Sequence, residues 1–283
     1  MGRRTYIPQY CEEQYNVRAA IPEHPEIFAR WKERSHAARR ELPCELDVVY
    51  GPGINEKLDI FPAQGQSRAL LSFIHGGFWR ALDKSDFSFI ARPYVERGVT
   101  VVIVNYALAP IVTVETIVQQ MLTAHAWIYR NCERYGARRD RIYVSGHSAG
   151  GHLTAMMLAA VWSSYAGDLP DDLVKGGLAV SGIYDLAPLI EVSFNKDMRL
   201  DARAVKKLSP INYRPLRPVP LFTSVGAAES AEFRRQNRLI ASTWEHCFRR
   251  DIPMPGFHHL GVMEQLGEPG SPLCDGALKM MQG

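Results

Sequence analysis

Residues 145–151 read Ser-Gly-His-Ser-Ala-Gly-Gly, between an apolar strand-like run and the helix-like residues 153–160. Gly146 and Gly150 flank Ser148 with the G-x-S-x-G spacing of a nucleophile elbow, a sharp strand-to-helix turn that exposes a serine hydroxyl. Glycine permits such a turn because it lacks a Cβ atom. The helix N-terminus beyond the serine adds free N–H groups and a partial positive charge. We therefore predict that Ser148 is a nucleophile.

A second glycine-rich motif, His75-Gly76-Gly77-Phe78-Trp79, follows the buried-strand run 69–74. We call residues 75–79 the HGG loop. In acyl transfer, backbone N–H groups must stabilise the negative charge that develops on the substrate oxygen. HGG-type loops supply such donors, together with the N–H of the residue after the nucleophile. We predict an oxyanion hole made of Gly76, Gly77 and Ala149, and a structural role for His75.

Composition indicates a globular protein with a large core. The chain has 283 residues, of which 46% are hydrophobic and 22% charged, ordinary values for a globular domain. No linker divides the sequence, so we predict one domain over residues 1–283. The net charge of +3 arises from 33 basic and 30 acidic residues without a long run of one sign, which argues against a nucleic-acid or membrane surface.

Cysteine usage indicates a reducing compartment. The five cysteines are widely spaced and form no C-x-x-C pair, which argues against a disulfide framework or a zinc site. The N-terminus lacks the apolar segment of a signal peptide, and no apolar stretch is long enough to cross a membrane. We expect a cytoplasmic protein that uses neither a metal nor an organic cofactor.

Strand-like and helix-like segments alternate along most of the chain. This alternation predicts an α/β fold with a mostly parallel, doubly wound sheet and helices on both faces. A helical arm is expected over about 1–44, and residues 186–217 interrupt the alternation as a small cap or lid. The predicted strands are 45–50, 57–61, 69–74, 99–106, 141–144, 177–182 and 220–225, and the other helices are 87–97, 114–135, 153–160, 231–247 and one near the C-terminus.

The nucleophile requires a base and an orienting acid. The chain order Ser…Asp/Glu…His is the order of an α/β-hydrolase sheet. His259 is favoured over His258 as the base because it directly precedes an apolar helical stretch. For the acid, Glu229 follows the strand at 220–225 and is preferred. Asp185 remains the alternative, although its position suits a helix cap.

Four aromatic residues follow strand ends on the same face and are candidates to line a substrate pocket: Phe78, Trp79, Tyr106 and Tyr184. In the predicted reaction, His259 takes the Ser148 proton and Ser148 attacks a carbonyl carbon. The protonated imidazole then protonates the leaving group, and water repeats the cycle. The expected partner is a small-molecule amide or ester, and the sequence leaves open whether the chain forms a homodimer.

Four segments together resemble the kynurenine formamidase (arylformamidase) family of α/β hydrolases, within the neighbourhood of HGG-loop carboxylesterases. These segments are residues 14–18, 75–79, 146–153 and 229–236. The resemblance runs over most of the chain and implies a serine–acid–histidine triad that hydrolyses N-formylkynurenine to kynurenine and formate. By position, Ser148, Glu229 and His259 match the triad.

Two positions depart from that family's pattern. The acid is Glu229 where the family usually has aspartate, and His258 stands where an acidic residue commonly precedes the base. These changes bear on formamidase specificity more than on hydrolysis. The sequence predicts a serine hydrolase of a small acyl amide or ester, with an aryl formamide as the leading substrate. The alternatives are a short-chain carboxylesterase and a non-catalytic α/β-hydrolase-fold binding protein.

Overall fold

A computed structural model describes residues 6–53 and 55–282. Within them, a single eight-stranded sheet has the order β1-β2-β4-β3-β5-β6-β7-β8. Its strands are β1 Glu45–Val49, β2 Lys57–Phe61, β3 Ala69–Ile74, β4 Val99–Val104, β5 Ile142–His147, β6 Gly177–Val180, β7 Leu221–Gly226 and β8 Phe248–Met254. The α-helices are α1 Pro8–Tyr15, α2 Val17–Ala20, α3 His24–Glu41, α4 Arg92–Val95, α5 Val114–Asn131, α6 Ala149–Ala159, α7 Trp162–Tyr165, α8 Asn195–Met198, α9 Ala202–Leu208, α10 Ala231–Thr243, α11 His259–Leu266 and α12 Pro272–Met280.

The sheet is antiparallel at one edge and parallel elsewhere. Strand β2 pairs antiparallel with both β1 and β4, and all pairs from β4 to β8 are parallel. Every residue of β3, β4 and β5 is buried, as expected for central strands covered on both faces. The predicted α/β class and mostly parallel sheet are confirmed.

Helices cover the two faces with separate apolar clusters. Ile117 of α5 and Leu153 of α6 belong to one cluster, whereas Trp31 of α3, Val262 of α11 and Leu273 of α12 belong to the other. The carboxyl ends of the parallel strands meet at one edge of the sheet. The HGG loop, Ser148, Glu229 and His259 all follow strands at this edge.

Two segments differ from the sequence prediction. Residues 87–97 do not form one helix. They contain the 3-10 turn Ser88–Ile90 and then α4, and another 3-10 turn, Lys84–Asp86, precedes them. Pro93, near the start of α4, has no N–H and cannot continue a helix from the preceding residues. Strand β8 was not predicted, because residues 248–251 are partly or fully exposed and Pro253 interrupts the apolar pattern.

The N-terminal helices pack on two different parts of the fold. The buried side chain of Tyr15 in α1 contacts Phe233 of α10, with 5.5 Å between ring centroids. Trp31 of α3 is also buried and lies 5.4 Å from Phe87, which precedes the second 3-10 turn. The arm is therefore attached to the body through aromatic contacts at both of its ends.

Candidate active site

Ser148 occupies a strained turn between β5 and α6. Its backbone has φ 58° and ψ −117°, a combination that costs a non-glycine residue about 1–3 kcal/mol. The Ser148 N–H donates to the carbonyl oxygen of Val180 at 2.8 Å, and the helix begins at the next residue. The surrounding sheet therefore holds this serine in the conformation of a nucleophile elbow.

The glycines of the elbow are required by close backbone contacts. A Cβ atom at Gly150 would lie 1.9 Å from the carbonyl oxygen of Ile74, and one at Gly146 would lie 2.3 Å from the carbonyl oxygen of Gly150. Neither contact can be relieved by a side-chain movement, because the atoms approached belong to the backbone. The G-x-S-x-G spacing thus has a direct steric cause.

His259 begins α11, and its imidazole contacts Glu229. The Nδ1 atom of His259 lies 2.6 Å from Oε2 of Glu229, and both side chains are buried. The other carboxylate oxygen accepts hydrogen bonds from the Gly226 N–H at 2.7 Å and the Ser181 hydroxyl at 2.5 Å. These two hydrogen bonds therefore fix the orientation of the carboxylate toward the histidine.

The two competing candidates lie elsewhere. The Asp185 carboxylate accepts from the Tyr6 hydroxyl at 3.0 Å and from the Ala187 N–H at 3.1 Å, and it pairs with Arg235 at 3.4 Å. His258 is the N-cap of α11, and its Nδ1 accepts the Gly261 N–H at 3.0 Å. Its other ring nitrogen lies 3.7 Å from Glu23 of the arm. Of the two acid candidates, only Glu229 contacts His259.

The residues predicted to form the oxyanion hole lie beside Ser148. Gly77 has φ +100° and lines the same cavity as Ser148. A Cβ atom on Gly76 would lie 2.8 Å from the His147 carbonyl oxygen and 3.1 Å from Ser148 Cβ. Ala149 is the first residue of α6, where an N–H has no partner within the helix. These backbone segments are thus brought together at the elbow.

His75 has the structural role predicted for it. Its ring is buried, with Nε2 3.0 Å from the Asn105 side-chain oxygen, and it stacks on Tyr106 at 4.2 Å between centroids. Burial lowers the pKa of His75. The Tyr106 hydroxyl donates to the His75 carbonyl oxygen at 2.9 Å. Both residues therefore support the HGG loop from below.

Of the four aromatic side chains predicted to line a substrate pocket, Phe78 lines the cavity and three do not. Trp79 is buried, and its indole ring is nearly perpendicular to the His152 ring, with 5.0 Å between the ring centroids. Tyr106 points into the protein beneath the HGG loop, and Tyr184 is buried in the core cluster. All three follow strand ends as predicted, but their side chains turn inward to fill the core.

The cavity at Ser148 has a volume of about 690 Å³, which includes space that is open to solvent. Its walls are mostly apolar and come from the HGG loop region, the elbow, α11, the arm and the segment before α8. The lining residues are Val17, Arg18, Phe28, Trp31, Gly77, Phe78, Arg80, Ala81, Leu82, His147, Ser148, Phe194, His259 and Leu260.

Sequence reasoning missed the arm's part in this cavity. Val17 and Arg18 of α2 and Phe28 and Trp31 of α3 form one wall, whereas the segment 186–217 contributes only Phe194. The sequence predicts a helical arm over about 1–44 but no part for it in the cavity. Residues 14–18 are one of the four segments that resemble the kynurenine formamidases, and this resemblance could have indicated that the arm contributes to the site.

His147 contacts the backbone of His259. Its Nε2–H donates to the carbonyl oxygen of His259 at 2.8 Å, and the two rings lie 4.5 Å apart. Burial, and secondarily the neighbouring His259, lower the pKa of His147 well below the ordinary histidine value. A neutral His147 therefore fixes the first residue of α11.

Metal-ligand clusters and long apolar helices are absent from residues 6–53 and 55–282. No group of three or more His, Cys, Asp or Glu side chains in this part of the chain could hold a metal ion. No helix in it is long and apolar enough to span a membrane.

Known proteins resemble the chain over most of its length. It is 29% identical to the kynurenine formamidase of Salmo salar, over 98% of this chain and 95% of that protein. It is 27% identical to the esterase LipQ of Mycobacterium tuberculosis, over 78% of this chain and 58% of that protein. The crystal structure of a "putative thioesterase" from Silicibacter superposes with a TM-score of 0.84 at 27% identity, covering 96% of this chain and 98% of that one.

The sheet, the elbow serine and these similarities define an α/β hydrolase, an enzyme that acts on amide or ester substrates. The resemblance to the kynurenine formamidases is confirmed. The family model BD-FAE matches residues 58–231. The chain belongs to the BD-FAE family.

Proposed function

We propose that Ser148, His259 and Glu229 form a catalytic triad and that the N–H groups of Gly76, Gly77 and Ala149 form the oxyanion hole. The observation that carries the proposal is the 2.6 Å contact of Glu229 with His259, beside a strained elbow serine on one cavity. Buried as it is, this carboxylate can stabilise the imidazolium that forms during acyl transfer.

The proposed reaction has two halves. His259 accepts the Ser148 proton while Oγ attacks the carbonyl carbon, and the resulting oxyanion accepts hydrogen bonds from the three backbone N–H groups. The imidazolium then gives its proton to the leaving amine or alcohol, which leaves an acyl-enzyme. Water, deprotonated by His259, attacks the acyl carbon, and Ser148 regains its proton as the acid departs.

The leading substrate is an aryl formamide such as N-formylkynurenine. Two observations support this choice. The relative from Salmo salar, matched over almost its whole length, is a kynurenine formamidase. The cavity also presents the aromatic side chains of Phe28, Trp31, Phe78 and Phe194, which suit an aryl leaving group. A formyl group is the smallest acyl group and needs little space beside Ser148.

A short-chain carboxylic ester is the second candidate. The similarity to an esterase favours it, as does the open, mostly apolar cavity, which has room for an acyl chain longer than formyl. The replacement of the usual aspartate by Glu229 and the presence of His258 set this chain apart from the formamidase pattern.

Steady-state rates distinguish the two candidates. N-formylkynurenine should be compared with p-nitrophenyl acetate and p-nitrophenyl butyrate under one set of conditions. Hydrolysis of the esters alone would refute the formamidase assignment. The variant Ser148→Ala is expected to lower kcat by about 10⁶-fold if the triad acts as a unit, and an unchanged rate would remove Ser148 from the mechanism.

We also propose that residues 186–217 cap the site and that the enzyme works in the cytoplasm. The ring centroids of Phe194 in this segment and Phe78 lie 4.8 Å apart, and Asp197 forms an ion pair with Arg80 at 3.1 Å. These contacts support a cap that is held against the HGG loop region. All five cysteines are free thiols, which is consistent with a reducing compartment.

A further inference from the structure

The cavity at Ser148 is lined by positively charged side chains and by no acidic one among the described residues. Two of its lining residues, Arg18 and Arg80, are cations, and none of the described lining residues is acidic. The Glu229 carboxylate lies behind His259 and is already held by three partners. An anion that enters the cavity therefore meets no like charge on its walls.

The two arginines differ in what they contact. Arg80 pairs with Asp197 at 3.1 Å, so its charge is largely balanced. Arg18 has no acidic partner among the described residues, and its guanidinium lies over the Phe28 ring at 5.8 Å from the centroid. Both Arg18 and Phe28 line the cavity. The N–H donors of Arg18 are therefore free to bind a ligand that lies against Phe28.

The backbone at Arg18 is fixed rather than loose. Asn16 caps the short helix α2 by accepting the Ala19 N–H at 3.1 Å, and its amide donates to Glu12 at 2.9 Å. Glu12 in turn accepts two hydrogen bonds from Ser193 of the cap segment. The arm thus holds Arg18 at the rim of the cavity, where a guanidinium can bind a carboxylate with two parallel hydrogen bonds.

We propose that Arg18 is a specificity-determining residue, which selects aromatic substrates that carry a carboxylate on the part of the molecule remote from the scissile bond. This proposal rests on the proposed function in one respect, which is that the molecule bound by Arg18 is a substrate. The reacting atoms lie at Ser148, so Arg18 affects binding and leaves the chemical step unchanged.

Binding can be measured without catalysis. In the Ser148→Ala protein, 3-phenylpropanoate should bind about tenfold more tightly than the neutral, equally sized 3-phenylpropanamide by calorimetry. Adding Arg18→Gln should abolish that preference, Arg18→Lys should keep part of it, and higher ionic strength should weaken it. Arg40→Gln is the matched control, because Arg40 is exposed on α3 and does not line the cavity.

Equal binding of the acid and the amide, or a preference that persists in Arg18→Gln, would overturn the inference. Activity gives a second readout. With intact Ser148, Arg18→Gln should raise KM about tenfold for 3-(4-acetoxyphenyl)propanoate and leave its kcat and the constants for 3-(4-acetoxyphenyl)propanamide within twofold. If Ser148→Ala proved as active as the unaltered enzyme, the proposed function would fail while the binding comparison still decided the role of Arg18.

Discussion

The phenyl ring of Phe233 packs against the imidazole of His259, with 4.2 Å between the ring centroids. Phe233 lies on α10, is buried, and also contacts Tyr15 of the arm. The proposed base is therefore held on one side by the Glu229 carboxylate and on another by a ring that the arm itself supports.

Shortening Phe233 should weaken both the fold and the orientation of the base. Phe233→Ala is expected to cost about 3–5 kcal/mol of unfolding free energy, because it leaves a cavity in the core. Phe233→Leu should cost less while still removing the ring contact with His259. Urea unfolding and kcat should be measured together, and a Phe233→Leu protein with unchanged kcat would show that the ring contact has no part in positioning His259.

The acid assignment predicts unequal effects at two carboxylates. Glu229→Gln should lower kcat about 10³–10⁴-fold, since an amide no longer stabilises the imidazolium. Glu229→Asp should lower kcat about 10²-fold, because the shorter side chain displaces the carboxylate by more than 1 Å. Asp185→Asn should leave kcat nearly unchanged and cost about 1 kcal/mol of stability or less, because it removes the ion pair with Arg235. A larger kcat loss in Asp185→Asn than in Glu229→Gln would reverse the assignment.

The elbow glycine predicts a steric effect on folding. Gly150→Ala places a Cβ atom 1.9 Å from the Ile74 carbonyl oxygen and should prevent a stable native sheet. Gly167→Ala is the control, because nothing lies within 4 Å of its Cβ position. That variant should be unchanged or more stable by about 0.4–1 kcal/mol. Thermal unfolding of both proteins measures the difference, and equal stability of the two would contradict the close approach at Gly150.

Buried histidines predict a loss of stability in acid. Burial lowers the pKa of His125 and of His152 to about 4, below the ordinary value of about 6.5. As the pH falls, these two histidines are therefore protonated in the unfolded chain before they are protonated in the folded chain. Stability from these residues is complete above pH ~6.5 and is lost as pH falls toward ~4, by roughly 3 kcal/mol for each residue.

Urea unfolding free energy measured at several pH values tests this dependence. His125→Asn should flatten the slope, because an asparagine can keep the hydrogen bond to the Met121 carbonyl oxygen without titrating. His36→Gln, which replaces an exposed histidine on α3, should leave the slope unchanged. A stability that stayed constant from pH 7 to 5 in the unaltered protein would contradict the neutral, buried state of these rings.

Features that depend mainly on short stretches of residues are predictable from the amino-acid sequence. The glycine spacing around Ser148 predicts the elbow, because only glycine fits where backbone atoms approach this closely. Continuous apolar runs predict the central strands, since strands buried on both faces have no polar side. The HGG loop is predicted from a short signal of the same kind.

Which distant side chains meet depends on how the helices and strands pack together. Glu229 and Asp185 each follow a strand, and packing alone directs one toward His259 and the other toward Tyr6. Trp79, Tyr106 and Tyr184 turn into the core, whereas Phe28 and Arg18 of the arm reach the cavity. The direction of these side chains and their long-range contacts follow from the packing of whole helices and strands, which no short stretch of sequence specifies.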